Sequence, residues 1–418
     1  MSNRYSETRQ FYADYGIDTE QTLQELAAIP VSMHCWQGDD VTGFEKSGSL
    51  TDGGIMATGG YPGKARNGEE LRNDIETAFK MIPGKHRVNL HAIYAETDGK
   101  KIERNELSFD HFKDWADWAA RQQIGIDFNP TFFAHPKAAD GFTLAHRDPA
   151  IRRFWIEHAI ACRNIARHFG EKLGKACICN VWIPDGYKDM PADRKTPRLI
   201  LEESLDEIFA RENDPLLMLD SVESKLFGIG TESYVVGSHE FYLGYAVHNN
   251  KLLCLDSGHF HPTETIEDKL SAVLCFIDEV LLHVSRGVHW DSDHVITLDD
   301  PLLALSREII WGGFCDRVHI GLDYFDASIN RVAAWIIGMR NMQKALLQAL
   351  LSPIAKLRDF ELTGRLTERL ALIEESKAMP WNVVWEEFCT RNDVPAGSKW
   401  IDTIMRYEQD VLLKRCIH

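Results

Sequence analysis

Short apolar or β-branched runs recur along the chain, each followed by a segment long enough to hold a helix, and this alternation predicts a parallel sheet built from βα units. Eight runs qualify: VSMHC (31–35), RVNLHAIY (87–94), IGIDFN (124–129), ACICNVWI (176–183), MLDSVES (218–224), LLCLDSG (252–258), LLHVS (281–285) and RVHIGLDYF (317–325). Between them, apolar residues fall at helical spacing in ELRNDIETAFKMI (70–82), KDWADWAARQ (113–122) and PAIRRFWIEHAIACRNIARHFGEKLG (149–174). Eight βα repeats favour a closed (β/α)8 TIM barrel over an open doubly wound sheet. After Phe325 the pattern turns almost wholly helical, punctuated by Pro353, Pro380, Pro395 and Gly397. The expected division is a barrel with a short helical lead-in over 1–340 and a helical C-terminal extension over 341–418. Helices appended outside a closed barrel need a further surface for their apolar stripe, which points to oligomerisation.

Composition narrows the function classes. Hydrophobic residues make up 44% of the 418 and charged residues 26%, the profile of a globular chain. With 46 basic and 63 acidic residues the net charge is -17, which argues against a nucleic-acid partner. The first thirty residues are polar and acidic, without an apolar signal core, and no 18-residue uncharged run follows, so a cytoplasmic location and no membrane partner are expected. Nine scattered cysteines, an odd number, do not read as a disulfide framework.

The ends of the eight runs share a chemistry: His34, His91, Asp127 with Asn129, Asn180, Glu223, Asp256, His283 and Asp323. A polar residue where one strand meets a loop is ordinary, but a ring of them at corresponding ends describes the C-terminal face on which barrel enzymes keep their active sites. The densest stretch is CLDSGHFHPTE followed by LLHVSRGVHWDSDHV. Glu223, Asp256, His283 and Asp323 could surround one ion, and His259, Asp291 and Asp293 a second. Mixed carboxylates and imidazoles without a thiolate cluster suit a divalent ion of the Mn, Co, Mg or Zn type. His261 and His294 would orient ligands or stand near the mouth. Lys225, two residues beyond Glu223, would face the same side if the strand continued, and could bind a substrate oxygen. Trp36 is a candidate wall, within a lid formed by HCWQGDDVTGFE (34–45) and TDGGIMATGGYPGKARN (51–67); Phe128, Phe132, Phe133 and Trp182 could extend it. Neither GYPGKA nor LFGIGTE has the spacing of a phosphate or dinucleotide loop.

At VESKLFGIG, LDSGHFHPTE, HWDSDHV and HIGLDYFDASINRVAAW, and again at VSMHCWQGDDVTGFE, GYPGKARN, GIDFNPTFFAHP, GFTLAH and NVWIPDG, the chain resembles the L-rhamnose isomerase family over essentially its whole length. The resemblance implies a (β/α)8 barrel with a C-terminal helical extension, a homotetramer, and the interconversion of L-rhamnose and L-rhamnulose at the first step of rhamnose degradation. It implies two divalent ions, manganese with zinc or cobalt possible at the structural position. One is held by Glu223, Asp256, His283 and Asp323, the other by His259, Asp291 and Asp293. Lys225, Asp323 and Asp291 are then the catalytic candidates, and Trp36, Phe128, Trp182 and Lys225 the sugar contacts. An aldose becomes a ketose by moving one hydrogen from C2 to C1 and one proton from O2 to O1. The related xylose isomerases favour a hydride shift, whereas the enediol route asks for a base at C2. The same residues alone leave open a metal-dependent barrel hydrolase, an isomerase of another aldose, or a non-catalytic sugar-binding oligomer.

Overall fold

All eight apolar runs become parallel strands: β1 (Val31–His34), β2 (Arg87–His91), β3 (Gly125–Asn129), β4 (Cys177–Trp182), β5 (Met218–Glu223), β6 (Leu252–Asp256), β7 (Val280–Val284) and β8 (Val318–Leu322). The computed structural model describes residues 3–45, 57–226, 231, 233–261, 263–289 and 291–416. Each strand pairs with its sequence neighbours and β8 closes on β1, giving an eight-stranded barrel. The register runs Cys177↔Met218 through Trp182↔Glu223 between β4 and β5, and Val280↔Val318 through Val284↔Leu322 between β7 and β8. Two strands end three residues before their apolar runs do. β2 stops at His91 and turns into a single 3-10 turn, Ala92–Tyr94, and β8 stops at Leu322, leaving Asp323 in the loop.

A helix follows each strand: α3 (Gly68–Phe79), α4 (Lys113–Gln122), α5 (Pro149–Leu173), α6 (Lys195–Phe209), α7 (His239–Asn249), α8 (Glu267–Val273), α9 (Asp300–Trp311) and α10 (Arg331–Leu350), after a lead-in of α1 (Asn3–Ala13) and α2 (Thr19–Ala28). Their limits follow from local chemistry. Asp148 accepts from the Ala150 N–H to start α5 with Pro149 in its first turn, and Gly174 ends it at φ +62, a left-handed cap that glycine adopts without cost. Asn67 caps α3, so that helix begins two residues before the predicted start at 70. On α4, Trp115, Ala116, Trp118 and Ala119 form the buried stripe.

Asp127, read from the sequence as part of the polar ring, lies in the middle of β3. It takes a bidentate ion pair from Arg87 (2.9 and 2.7 Å), the Ser32 hydroxyl (2.7 Å) and the Ile178 N–H (3.0 Å), so it braces the barrel interior below the mouth. Burial alone would raise its pKa, but the Arg87 guanidinium prevails and holds it below the usual carboxylate value.

The extension comprises α11 (Ile354–Leu362), α12 (Leu366–Lys377), α13 (Trp381–Arg391) and α14 (Trp400–Asp410). α10 runs unbroken through residue 340 and buries residues on both sides of it, among them Met339 and Met342. Part of the extension buries its apolar stripe within the chain itself. α13 buries Val383, Val384, Trp385, Phe388 and Cys389 within the chain, and its Arg391 pairs with Glu20 on α2 at 2.7 and 2.9 Å. α12 buries no residue, and Leu362, Leu366 and Leu370 stand exposed.

Candidate metal centre

Four consecutive strands deliver one donor each to the barrel mouth: Glu223 at the end of β5, Asp256 at the end of β6, His283 near the end of β7, and Asp323 one residue past β8. One atom from each lies within 4.8 Å of the others. His283 Nδ1 stands 3.2 Å from a Glu223 oxygen, 3.2 Å from an Asp323 oxygen and 4.0 Å from Asp256 Oδ2. At ion–donor bonds of about 2.0–2.2 Å and angles between 90° and tetrahedral, neighbouring donors sit about 2.8–3.6 Å apart. Both 3.2 Å separations fall in that range, and among the described residues neither His283 Nδ1 nor Asp256 Oδ2 has a hydrogen-bond partner. Buried polar atoms aimed at a common centre and otherwise unsatisfied fit a cation. Asn180 on β4 donates to Glu223 and orients it. The Cys254 thiol is also within ligand reach of Glu223 and His283, but burial pushes its pKa well up, so it stays a thiol and not a thiolate ligand.

The second predicted set lies alongside. His259 Nε2 is 3.2 Å from Asp291 Oδ2, and its Nδ1 is 3.3 Å from Glu223 Oε1, so the ring stands between the two donor groups. Asp291 Oδ1 is buried without a hydrogen-bond partner. Gly258 lets the loop pass close: a Cβ there would meet Asp291 Oδ1 at 2.8 Å and Asp256 Oδ1 at 3.2 Å, and its N–H donates to Asp256 at 2.6 Å. Asp293 has φ +44, an uncommon conformation for a non-glycine residue, and its carbonyl accepts from the Phe325 N–H of the next loop.

Charge in the mouth is lopsided. Burial, then repulsion among the carboxylates, pushes Asp256 and Asp293 well above the carboxylate range. Burial opposes protonation of His259 and His283, yet surrounding carboxylates overcome it: Asp256 and Asp291 for the first, Glu223 and Asp323 for the second. Both end well above the imidazole value. Burial would also raise Asp323, but the His283 imidazolium 3.2 Å away brings it down to about 2. Five carboxylates and two imidazoles gathered in one mouth describe a donor set suited to divalent cations.

An aromatic arc borders the donors. Trp36 donates from Nε1 to Asp323 Oδ1 at 2.9 Å, so it orients a donor as well as forming a wall. Its ring packs edge-on to His91 (4.8 Å), His91 to Phe133 (5.6 Å), and Phe133 to Trp182 (6.2 Å). The Lys225 ammonium lies 5.5 Å over Trp182 and donates to the Pro184 carbonyl at 3.4 Å. Strand alternation does not carry Lys225 there, because β5 ends at Glu223; the loop does. Phe128 is a correction. On β3 it points outward, against Phe112 (4.9 Å) and Phe169 (5.8 Å) in the helical layer, and so belongs to the core rather than to a sugar wall. Phe132 likewise packs on Trp155 and His158. His261 is exposed and pairs with Thr263, and His294 pairs with Ser292; among the described residues no hydrogen bond ties either to the donors.

Two residues left outside the sequence-based site stand in the mouth. His34 lies 4.3 Å from the Tyr324 ring, and burial lowers its pKa to about 4; His91 is lowered to about 3 for the same reason and contacts the Thr131 hydroxyl at 3.1 Å. Both therefore present neutral imidazoles. Their strand-end positions were the available signal. Residues 51–56 of the predicted lid, 227–230 and 232 of LFGIGTE, Pro262 of LDSGHFHPTE and Trp290 of HWDSDHV lie outside the described residues.

Comparison with known proteins points one way. The L-rhamnose isomerase family model matches residues 1–415. The L-rhamnose isomerases of Salmonella paratyphi A and Escherichia coli O17:K52:H18 are each 57% identical over 408 residues, covering 97% of this chain and 97% of theirs. Among solved structures, an L-ribulose 3-epimerase matches with a TM-score of 0.49 at 12% identity, covering 80% of this chain and 98% of its own.

Proposed function

The chain belongs to the L-rhamnose isomerase family, and from that premise we propose that its barrel mouth interconverts L-rhamnose and L-rhamnulose by an intramolecular hydride shift. The observation that carries this reading is the convergence of Glu223, Asp256, His283 and Asp323 from four consecutive strand ends. In this assignment those four residues hold one divalent ion and His259, Asp291 and Asp293 a second, manganese in both, with zinc or cobalt acceptable at the structural position. When bound, such ions supply Lewis-acid polarisation of sugar oxygens.

The chain's own groups do the rest. Asp323, held ionised by His283 and fixed at Oδ1 by Trp36, is the carboxylate we assign to accept the O2 hydroxyl proton. Asp291, with one oxygen buried and unpartnered, is the second carboxylate for returning a proton to O1. Lys225 stabilises negative charge on a sugar oxygen from its seat on Trp182. The arc from Trp36 to Trp182 faces the sugar's methyl end and excludes water, which protects a migrating hydride from exchange. Hydrogen passes with its electron pair from C2 to C1, the O2 proton is relayed to O1, and no external redox partner is consumed. We further assign the protein to the cytoplasm as a homotetramer, with 1–340 as the catalytic barrel and 341–418 as the oligomerisation extension; the exposed leucines of α11 and α12 support that last role.

The test strips the metals with a chelator, restores Mn, and follows L-rhamnose by proton NMR in heavy water. Ketose formed only with Mn and carrying the migrated hydrogen at C1 is expected. Deuterium at C1 would replace the hydride shift with an enediol, and no ketose from intact, metal-loaded protein would overturn the substrate assignment.

A further inference from the structure

Two loops that lie far apart in sequence meet beside the donors: the one after β1, which carries Trp36, and the one after β8, which carries Asp323. They are bonded together at several points. Gln37 and Asp326 exchange hydrogen bonds, the side-chain amide to the carbonyl at 2.9 Å and the Asp326 N–H to the amide oxygen at 2.8 Å. Thr58–Gly59 pairs in parallel with Asp326–Ala327, and the Tyr61 N–H donates to the Ala327 carbonyl. Arg331, the first residue of α10, grips Asp40 with two hydrogen bonds (2.9 and 2.7 Å) and reaches the Tyr61 and Pro62 carbonyls. Within the first loop, the Ala65 N–H bonds to the Gly38 carbonyl.

The C-terminal helix closes this frame. Glu408 on α14 is 6% exposed, and one of its carboxylate oxygens accepts from both the Tyr61 hydroxyl (2.8 Å) and the Asn330 side-chain amide (2.7 Å). Asn330 in turn caps α10 at the Ala333 N–H, next to Arg331. The tail is itself anchored. Tyr407 donates to Asp74 at 2.6 Å, and Arg415 donates to Asp74 at 2.7 and 2.8 Å and to the Gly63 carbonyl at 2.9 Å. Gly63 has φ +89, and a Cβ there would press on Leu412, so the first loop and the tail lie in direct contact.

We propose that Glu408 is a positioning residue for the barrel mouth: by holding Tyr61 and Asn330 on one carboxylate oxygen, it fixes the two loop segments that set Trp36 against Asp323. The proposal rests on the functional reading above for its catalytic consequence, and on geometry alone for its effect on the loops. Removing the shared acceptor leaves a buried amide and a phenol without their partner, and the loops regain freedom that substrate binding must then offset.

The test compares Glu408→Ala with Glu408→Gln in the metal-loaded, full-length protein; glutamine keeps an acceptor oxygen. The alanine variant is expected to retain its bound ions, to raise KM for L-rhamnose about tenfold, and to speed amide hydrogen exchange in 36–40, 57–67 and 323–331, while the glutamine variant returns KM and exchange towards wild type. A general structural role would lower the melting temperature and leave KM and local exchange as they were, and that result overturns the proposal. If the alanine variant does not fold, Tyr61→Phe removes one of the two donors and is read in the same way. A wild-type protein that leaves L-rhamnose untouched defeats the functional reading, and exchange in the three segments then decides the positioning proposal by itself.

Discussion

At His86 the protein buries an imidazole whose two nitrogens are both committed: Nδ1 accepts from the Val31 N–H at 3.3 Å and Nε2 donates to the Pro83 carbonyl at 2.9 Å. That pattern demands the neutral ring, and burial lowers its pKa to about 4. The unfolded chain takes up a proton near pH 6.5 and the folded chain only near 4, so His86 contributes stability that is full above 6.5 and is lost as pH falls between those values. His86→Asn, which keeps one acceptor and one donor, is therefore expected to be less stable than wild type at pH 8, with the gap closing by about 3 kcal/mol at most by pH 4. Urea midpoints at both pH values measure it, and a gap that stays constant would show that His86 does not titrate in this way. The mouth contains both outcomes of the same competition. His34 and His91 are lowered by burial, whereas His259 and His283, equally buried, are raised by the groups around them. Residue type marks all four as chemistry-bearing, but their charge depends on neighbours contributed by other strands.

The limits of α5 were readable because a capping aspartate, a first-turn proline and a terminal glycine are local signals. Its docking was not. Gly170 sits inside this helix with the Leu217 carbonyl so close that an added Cβ would lie 1.9 Å from the oxygen. Helix propensity alone would make Gly170→Ala stabilising by about 1 kcal/mol. The clash is with backbone that leads directly into β5, and it outweighs that gain: a net loss of about 2 kcal/mol is expected, read from chemical denaturation. A stabilised variant would mean the helix shifts freely. The contact matters for the site because the same helix carries Arg163, which pairs with Asp220 at 2.7 and 2.8 Å, three residues before Glu223 on the strand that α5 braces. Phe128 failed as a sequence reading at this same scale, and Lys225 takes a different route from the one strand alternation offered. Strand alternation sends Phe128 to the helical layer when Asp127 and Asn129 face inward, and the end of β5 at Glu223 takes Lys225 out of the alternation that was meant to place it.

Over the whole molecule, the barrel and the convergence of its four strand-end donors were legible because each rests on a short repeated pattern, an apolar run ending in a polar donor. The frame that joins Glu408 to Tyr61 and Asn330 was not, since its bonds span 347 and 78 residues and no local signal announces them. The metal reading also belongs at this scale. A chain with a net charge of -17 draws Glu223, Asp256, Asp291, Asp293 and Asp323 into one mouth, where the protons shared with His259 and His283 are the alternative to a cation. Ions that bind only the folded chain must stabilise it, by about 2.7 kcal/mol per site when free metal is 100 times its dissociation constant. Chelator-treated protein is thus expected to melt at a lower temperature, to regain stability as Mn is added, and to saturate at two ions per chain. In Glu223→Gln the Mn-dependent increment should shrink, because one donor and its charge are gone while the other set remains. A melting temperature indifferent to Mn would identify the seven groups as a proton-sharing acid cluster and remove the basis for the ion assignment.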